Sequence, residues 1–149
     1  MTYLNQQPSE SVSVLATMDA ASVAASTVVS TWVPIKNHFA LMALIDVGAF
    51  GASATVDAKL RQATDSSGTN AKDITGKAIT QLLAGGGNNR QAIINMKAAD
   101  LDTENAFAYV ALSVTVGTAA TLLSAAVLGF LPHYEDAAAY NQAGVAQVV

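Results

Sequence analysis

The chain contains no cysteine, and Asp, Glu, Lys and Arg together make up only 12% of its 149 residues. The absence of cysteine excludes disulfide frameworks, thiolate zinc sites and cysteine nucleophiles. The charged fraction is about half of the roughly 25% that is typical of soluble domains. Because low charge is combined with 52% hydrophobic residues, the composition excludes intrinsic disorder. A chain of this length can bury a substantial core as a single domain.

Positive charge is missing from both ends of the chain. All seven Lys and Arg residues lie between Lys36 and Lys97, whereas five of the eleven acidic residues follow Lys97. A net charge of −4 argues against a nucleic-acid-binding protein, which needs a basic face. We interpret the middle of the chain as a solvated face and the two ends as segments that lie against something other than water. The simpler alternative is that the bases only mark the solvated side of the fold.

The segment from Asn105 to Tyr134 has no charged residue and is long enough to cross a bilayer as a helix. However, Val110, Leu112 and Val114 alternate with smaller residues, which is the pattern of a strand. Neither flank supplies the Lys or Arg that anchors a membrane helix. We therefore predict strands here and keep a transmembrane helix as the alternative.

Alternation of apolar and polar residues is clearest in the stretch 55–63. Val56, Ala58 and Leu60 are predicted to face a core, with charged residues between them facing solvent. The apolar stretch 38–47 fits a central strand that is buried on both faces. Further strand candidates span 12–18, 26–33, 77–83, 91–97, 106–116 and 122–130. This spacing predicts an all-β antiparallel sandwich of about eight strands, although the abundant alanine leaves a helical fold as the alternative.

These patterns divide the chain into three parts. Residues 1–14 are predicted to be an extended N-terminal arm, residues 15–133 the β-sandwich, and residues 134–149 a C-terminal tail. The polar start, with Asn5, Gln6 and Gln7, and the tail both lack the regular alternation of the middle segment.

No group of residues has the pattern of a catalytic or metal site, so we predict no enzyme activity and no cofactor or metal. Gly85–Gly87 is not followed by the Lys-Ser/Thr of a phosphate-binding loop. His133 lies near Glu135 and Asp136, but this spacing does not by itself provide metal geometry. The acidic residues 100, 102 and 104 lack the glycine of a calcium loop.

Several segments resemble small virion proteins of tailed bacteriophages. The resemblance rests on Ala54–Gly68, Lys72–Gly76, Phe107–Val116, Ala126–Phe130 and Pro132–Tyr134. It implies a jelly-roll-like β-sandwich that acts as a capsid cement or decoration protein. It also implies a homotrimer on the outside of the head, made in the host cytoplasm, that bridges major capsid subunits.

The arm and the tail are the predicted contact elements, together with an aromatic anchor in the sandwich. The predicted partner is the major capsid protein, with no nucleic acid and no membrane. Two alternatives remain, a tail or head–tail connector protein and a carbohydrate-binding or host-attachment module. The predicted partner-binding residues are Tyr3, Leu4, Val12, Val14, Trp32, Tyr134 and Tyr140.

Overall fold

The computed structural model describes residues 5–149. One helical turn, α1 (Pro8–Ser11), precedes ten strands. The strands are β1 (Val12–Val23), β2 (Ser26–Val29), β3 (Val33–Pro34), β4 (His38–Val47), β5 (Thr55–Ala63), β6 (Lys72–Ala78), β7 (Leu82–Leu83), β8 (Arg90–Lys97), β9 (Tyr109–Gly117) and β10 (Thr121–Pro132). Short 3-10 turns lie at Ala84–Gly86, Ala98–Asp100, Thr103–Asn105 and Ala137–Tyr140.

The strands form two antiparallel sheets that pack face to face. Sheet A has the order β1-β10-β4-β8, and sheet B has the order β2-β9-β5-β6, with the two-residue strands β3 and β7 added to β9 and β5. Among the eight longer strands, the first pairs with the last, the second with the seventh, the third with the sixth and the fourth with the fifth. This pairing is that of a jelly roll, so the predicted jelly-roll-like sandwich is confirmed.

The core lies between the sheets and is built by alternation along most strands, whereas residues 110–114 of β9 are all buried. Leu41 and Ile45 of β4 and Leu60 of β5 are almost fully buried, as are the inward residues of β9, including Leu112 and Val114. Because successive side chains of a strand point to opposite faces, one face of each sheet is left outside. The predicted alternation along β5 is confirmed, since Val56, Ala58 and Leu60 are all buried.

Several strands differ from their predicted ranges. The predicted strand 26–33 is divided into β2 and β3, the predicted strand 77–83 falls on the end of β6 and on β7, and β9 begins at Tyr109 instead of residue 106. β1 continues to Val23, through a stretch whose small residues favour a turn, because bulges in its pairing with β10 accommodate the extra residues. β6 begins at Lys72 rather than at residue 77, since Lys72 and Asp73 pair with the end of β5. The strands β4 and β5 have the predicted bounds.

The segment predicted as an extended arm is mostly structured in the part that is described. Residues Pro8–Ser11 are helical, because proline suits the first helical position and the Glu10 carboxylate accepts a hydrogen bond from the Gln7 amide at 2.9 Å. Val12 and Val14 pair with β10, so sheet A begins inside the predicted arm.

The long uncharged segment forms β9 and β10 with a turn between them. Within residues 5–149, no helix has the length and hydropathy that crossing a membrane requires. The period of two in this segment therefore gave the correct secondary structure.

Candidate interaction surface

The outer face of sheet A is apolar. Strand pairing aligns twelve of its outward residues in three rows of four, one residue from each strand, and a further row with Ser124, Asp46 and Gln91 is polar. Nine of these twelve positions carry apolar side chains, and Lys97 at one corner is the only charged residue among them. We call these nine residues the apolar face: Val12, Val14, Ala40, Met42, Leu44, Ile93, Ala126, Leu128 and Phe130. An apolar patch of this kind on a sheet commonly marks an interaction site.

The outer face of sheet B is polar by contrast. Asp73 bridges two bases of β5, with 2.8 Å to the Lys59 ammonium and 3.2 Å to the Arg61 guanidinium. The hydrogen bond from Lys59 lowers the pKa of the Asp73 carboxyl below its usual value. Thr27 and Thr115 hydrogen-bond across β2 and β9 at 2.8 Å. This face is the solvated side that the central cluster of charges predicted.

The C-terminal tail lies along the β1 side of the apolar face. The Gln142 amide donates to the Val14 carbonyl at 2.8 Å, and the Asn141 side-chain oxygen accepts from the Val14 amide at 2.8 Å. Gln142 also donates its side-chain amide to Thr17 at 3.0 Å, and Val145 lines one groove with Leu44. The tail therefore pairs the backbone amide and carbonyl of Val14 at the edge of β1, and it leaves the β4–β8 side of the apolar face open.

A buried histidine joins the tail to the sandwich. Ser13 Oγ lies 2.9 Å from His38 Nε2 and donates to the Ala137 carbonyl at 2.6 Å. Because the only hydroxyl proton is used on Ala137, His38 must donate from Nε2. Tyr140 packs edge-on against the His38 ring at 5.2 Å between centroids. Burial, with a smaller contribution from the charge of His133, lowers the pKa of His38 below 6.5.

A groove of about 470 Å³ indents the Lys97 corner of the apolar face. Met42 and Phe130 are among its apolar lining residues, and Lys77 and Lys97 line it as well. Lys77 is engaged with Asp100 at 3.2 Å, whereas Lys97 makes no ion pair with any carboxylate of residues 5–149. We call this cavity the corner groove.

Beside the groove, the end of β10 presents exposed aromatic and aliphatic side chains. Phe39 and Leu131 are 59% and 54% exposed, and Tyr134 is 78% exposed. The Phe39 and His133 rings pack with 3.9 Å between centroids. Leu131 has a φ of +54°, a left-handed conformation that is rare for a branched residue. We call Phe39, Leu131, His133 and Tyr134 the aromatic tip.

The predicted partner-binding residues fall in different places. Tyr3 and Leu4 lie outside the described residues, Val12 and Val14 belong to the apolar face, and Tyr134 belongs to the tip. Trp32 is half-buried against Gly68, and Tyr140 packs on His38. These two aromatic residues therefore have structural contacts within the chain.

Sequence reasoning did not select most of the apolar face. The apolar run of β4 indicated a strand buried on both faces, but Met42 and Leu44 are only half-buried, on the outward side. Ile93 is 54% exposed on the edge strand β8. The stretch 122–130 was predicted as a strand, but nothing in its sequence indicates that its outward apolar side chains, Leu128 and Phe130, lack a covering layer.

The acidic residues considered for metal binding have other contacts. Asp100 accepts from the Lys97 amide and pairs with Lys77, and Asp102 pairs with Lys72. Across residues 5–149, no three His, Cys, Asp or Glu side chains come together in a way that could hold a metal ion. Phe107 lies beneath the Lys72 ammonium at 4.2 Å, which makes this corner a structural cluster.

No protein-family model matches the chain, and no curated protein matches its sequence. Solved structures with a similar fold include a chain of the cowpea mosaic virus top component, the naturally occurring empty particles. It is 9% identical, with a TM-score of 0.44, and the match covers 87% of this chain and 90% of that one.

A chain of broad bean stain virus is 11% identical, with a TM-score of 0.42, over 67% of this chain and 56% of that one. The pilus protein of Bacillus endospore appendages is 13% identical, with a TM-score of 0.38, over 87% of this chain and 99% of that one. Similarity at this level carries no inference about function.

Proposed function

We propose that this chain is a structural protein of a tailed-phage particle, a decoration protein that binds the outside of the head and bridges major capsid subunits. The observation that carries the proposal is the apolar face, which leaves Met42, Leu44 and Ile93 open on the β4–β8 side of sheet A. The resemblance of several segments to tailed-phage virion proteins supports the head as the site of action.

The physical basis of such a role is burial of this face against another protein. Burying apolar surface is favourable by about 25 cal/mol per Å², and the near absence of charge on the face means that few charges must be desolvated. Many equivalent sites on one shell multiply a modest affinity per site into a large total free energy. A stiff sandwich suits this purpose because little conformational entropy is lost when it binds.

A matched pair of lysine substitutions tests the proposal. Ile93 is 54% exposed on β8, an edge strand of sheet A, and Val29 is 41% exposed on β2, an edge strand of sheet B. Each variant is mixed with purified heads assembled from the phage's major capsid protein, and the bound chain is measured by co-sedimentation. We expect Ile93→Lys to weaken binding at least tenfold, because a charge must then be desolvated, while Val29→Lys binds like the parent chain.

Circular dichroism and urea unfolding check that both variants fold. Saturable binding of the parent chain to heads is the first requirement. If the parent chain does not bind heads, or if both variants bind equally well, the proposed surface is wrong. Saturable binding to purified tails instead of heads would favour a tail or connector protein.

A further inference from the structure

We infer that the corner groove receives the aromatic tip of a second copy of this chain, and that this contact holds the decoration protein together as an oligomer. The inference rests on the proposed function, because it assigns the copy-to-copy contact of that protein. The segment of the second copy that enters the groove is residues 133–136, which we call the tip segment. Its Tyr134 ring packs in the groove, and its Glu135 carboxylate pairs with Lys97.

The two surfaces are complementary in polarity. The groove is lined by apolar residues, including Met42 and Phe130, and by the basic residue Lys97. In the tip segment an exposed tyrosine is followed at once by exposed acidic residues, Glu135 and Asp136. A tyrosine anchor in an apolar pocket with a charge pair at its rim is typical of protein–protein contacts.

The charges that this contact would pair are available in the single chain. Lys97 and Glu135 make no ion pairs among residues 5–149. Bases are absent after Lys97, so the tip segment carries net negative charge and meets the basic residue of the groove without repulsion from a lysine or arginine of its own. Asp100 also lines the groove, but it is engaged by Lys77 at 3.2 Å.

The backbone around the tip is held in an unusual conformation. Leu131 has a φ of +54° next to Pro132, and the His133 amide donates to the Asn37 carbonyl at 3.0 Å. Strain of this kind costs of order 1–3 kcal/mol and is concentrated at functional sites. Here it occurs within β10, between Phe130 and Pro132, which both still pair with β4. Two residues after Pro132, Tyr134 has 78% of its surface exposed.

The positions of groove and tip favour a small closed oligomer. Phe130 and Ala40 line the groove, and their sequence neighbours Leu131 and Phe39 belong to the tip. Both partners of the contact therefore lie at the same corner of the molecule, where a symmetry axis can bring each tip to the next groove. A ring in which the rotation between neighbours closes fills every tip and every groove and leaves no open end.

Charge reversal tests the contact in the absence of capsids. The molar mass and Kd of self-association are measured by sedimentation equilibrium for the parent chain, Lys97→Glu, Glu135→Lys and the double variant. We expect the parent chain to associate, each single variant to associate at least tenfold more weakly, and the double variant to recover most of the affinity. Tyr134→Ala should weaken association at least tenfold as well, since aromatic anchors dominate such contacts.

Lys59→Glu, on the outer face of sheet B, is the charge-matched control and should associate like the parent chain. A parent chain that stays monomeric at 0.1 mM or above, on the order of a weak contact, overturns the inference. So does an oligomer that Lys97→Glu and Glu135→Lys leave unchanged, or a double variant that stays as weak as the singles. Because no capsid is present, these results are independent of the head-binding test.

Discussion

At the scale of single residues, two glycines with left-handed backbone conformations differ in one respect. Gly68 has a φ of +82°, and a Cβ there would lie 2.5 Å from the indole nitrogen of Trp32. Gly76 has a similar φ of +75° but has no atom within 4 Å of the corresponding position. An alanine at position 76 would add backbone strain alone, whereas an alanine at position 68 would add backbone strain and a steric clash with Trp32.

We expect Gly68→Ala to lower the free energy of unfolding by about 2–4 kcal/mol, and Gly76→Ala by about 1 kcal/mol. The larger loss follows from the displacement of Trp32 in addition to the strained backbone. Urea denaturation of both variants, with Trp32 fluorescence as one probe, measures the difference. Equal losses for the two variants would show that Trp32 does not depend on the absence of a side chain at position 68.

His38 makes the stability of the fold depend on pH. Its pKa is lowered in the folded chain by burial and then by the charge of His133, and Tyr140 and the Ser13 hydroxyl face its ring without adding a negative charge. Nδ1 has no hydrogen-bond partner among residues 5–149, so a protonated ring would carry a buried unpaired N–H. Below about pH 6.5 the unfolded chain therefore binds more protons at this position than the folded chain.

We expect the free energy of unfolding to be constant above about pH 7.5 and to fall as the pH drops through 6.5, with a slope of at most about 1.4 kcal/mol per pH unit. His38→Gln should remove this slope, and His133→Gln should retain most of it. Urea unfolding between pH 5 and pH 8 measures all three chains. The explanation fails if His38→Gln keeps the slope of the parent chain.

At the scale of elements, the tail Ala137–Val145 acts as a cover for the edge of β1. Its contacts include the bonds of Asn141 and Gln142 to Val14 and the bond of Ser13 to Ala137. An uncovered edge strand is a site for unwanted pairing with other chains. The tail therefore has a structural role beside any role in partner binding.

We expect Asn141→Ala to speed hydrogen exchange of the Val14 amide about tenfold and to cost about 1 kcal/mol of stability, because the amide loses its acceptor. Asn141→Asp is the matched control, since it keeps an acceptor oxygen in the same place, and should retain protection. Exchange followed by NMR at residue resolution measures both. Unchanged protection in Asn141→Ala would mean that the tail does not cover this edge.

The strands were predictable wherever one face alone is buried, because alternation then identifies both the strand and its inward set. This is why β5 was located to the residue. The helical turn α1 was not predicted, although its local signals, Pro8 at the first helical position and Glu10 three residues after Gln7, are present in the sequence. The sequence also could not reveal the uncovered apolar face. Outward Met42 and inward Leu41 are equally apolar, and they differ only in that sheet B packs against the Leu41 side of β4.

At the scale of the whole molecule, the two sheets differ in how many charged residues their outer faces carry. The central bases and their acidic partners make the outer face of sheet B polar, with Asp73 between Lys59 and Arg61. The outer face of sheet A carries Lys97 at one end and Asp46 at the other, with the nine apolar residues between them. A chain with one apolar face tends to associate, which is consistent with a protein that functions in an assembly.

The corner groove and the aromatic tip occupy one end of the apolar face, whereas Ile93 lies two rows away from Phe130. The proposed copy-to-copy contact and the proposed capsid contact can therefore be disrupted separately. We expect the Ile93→Lys variant to associate with itself but to lose binding to heads. We expect the Lys97→Glu variant to bind heads only as a monomer.

The most direct measurement is a cryo-electron microscopy map of phage heads saturated with this chain, at a resolution that distinguishes the two sheets. The proposal predicts jelly-roll density on the outer surface of the shell, with sheet A facing protein and the charged face of sheet B facing solvent. Density confined to the tail, no density on the shell, or a bound chain whose sheet A faces solvent would contradict it.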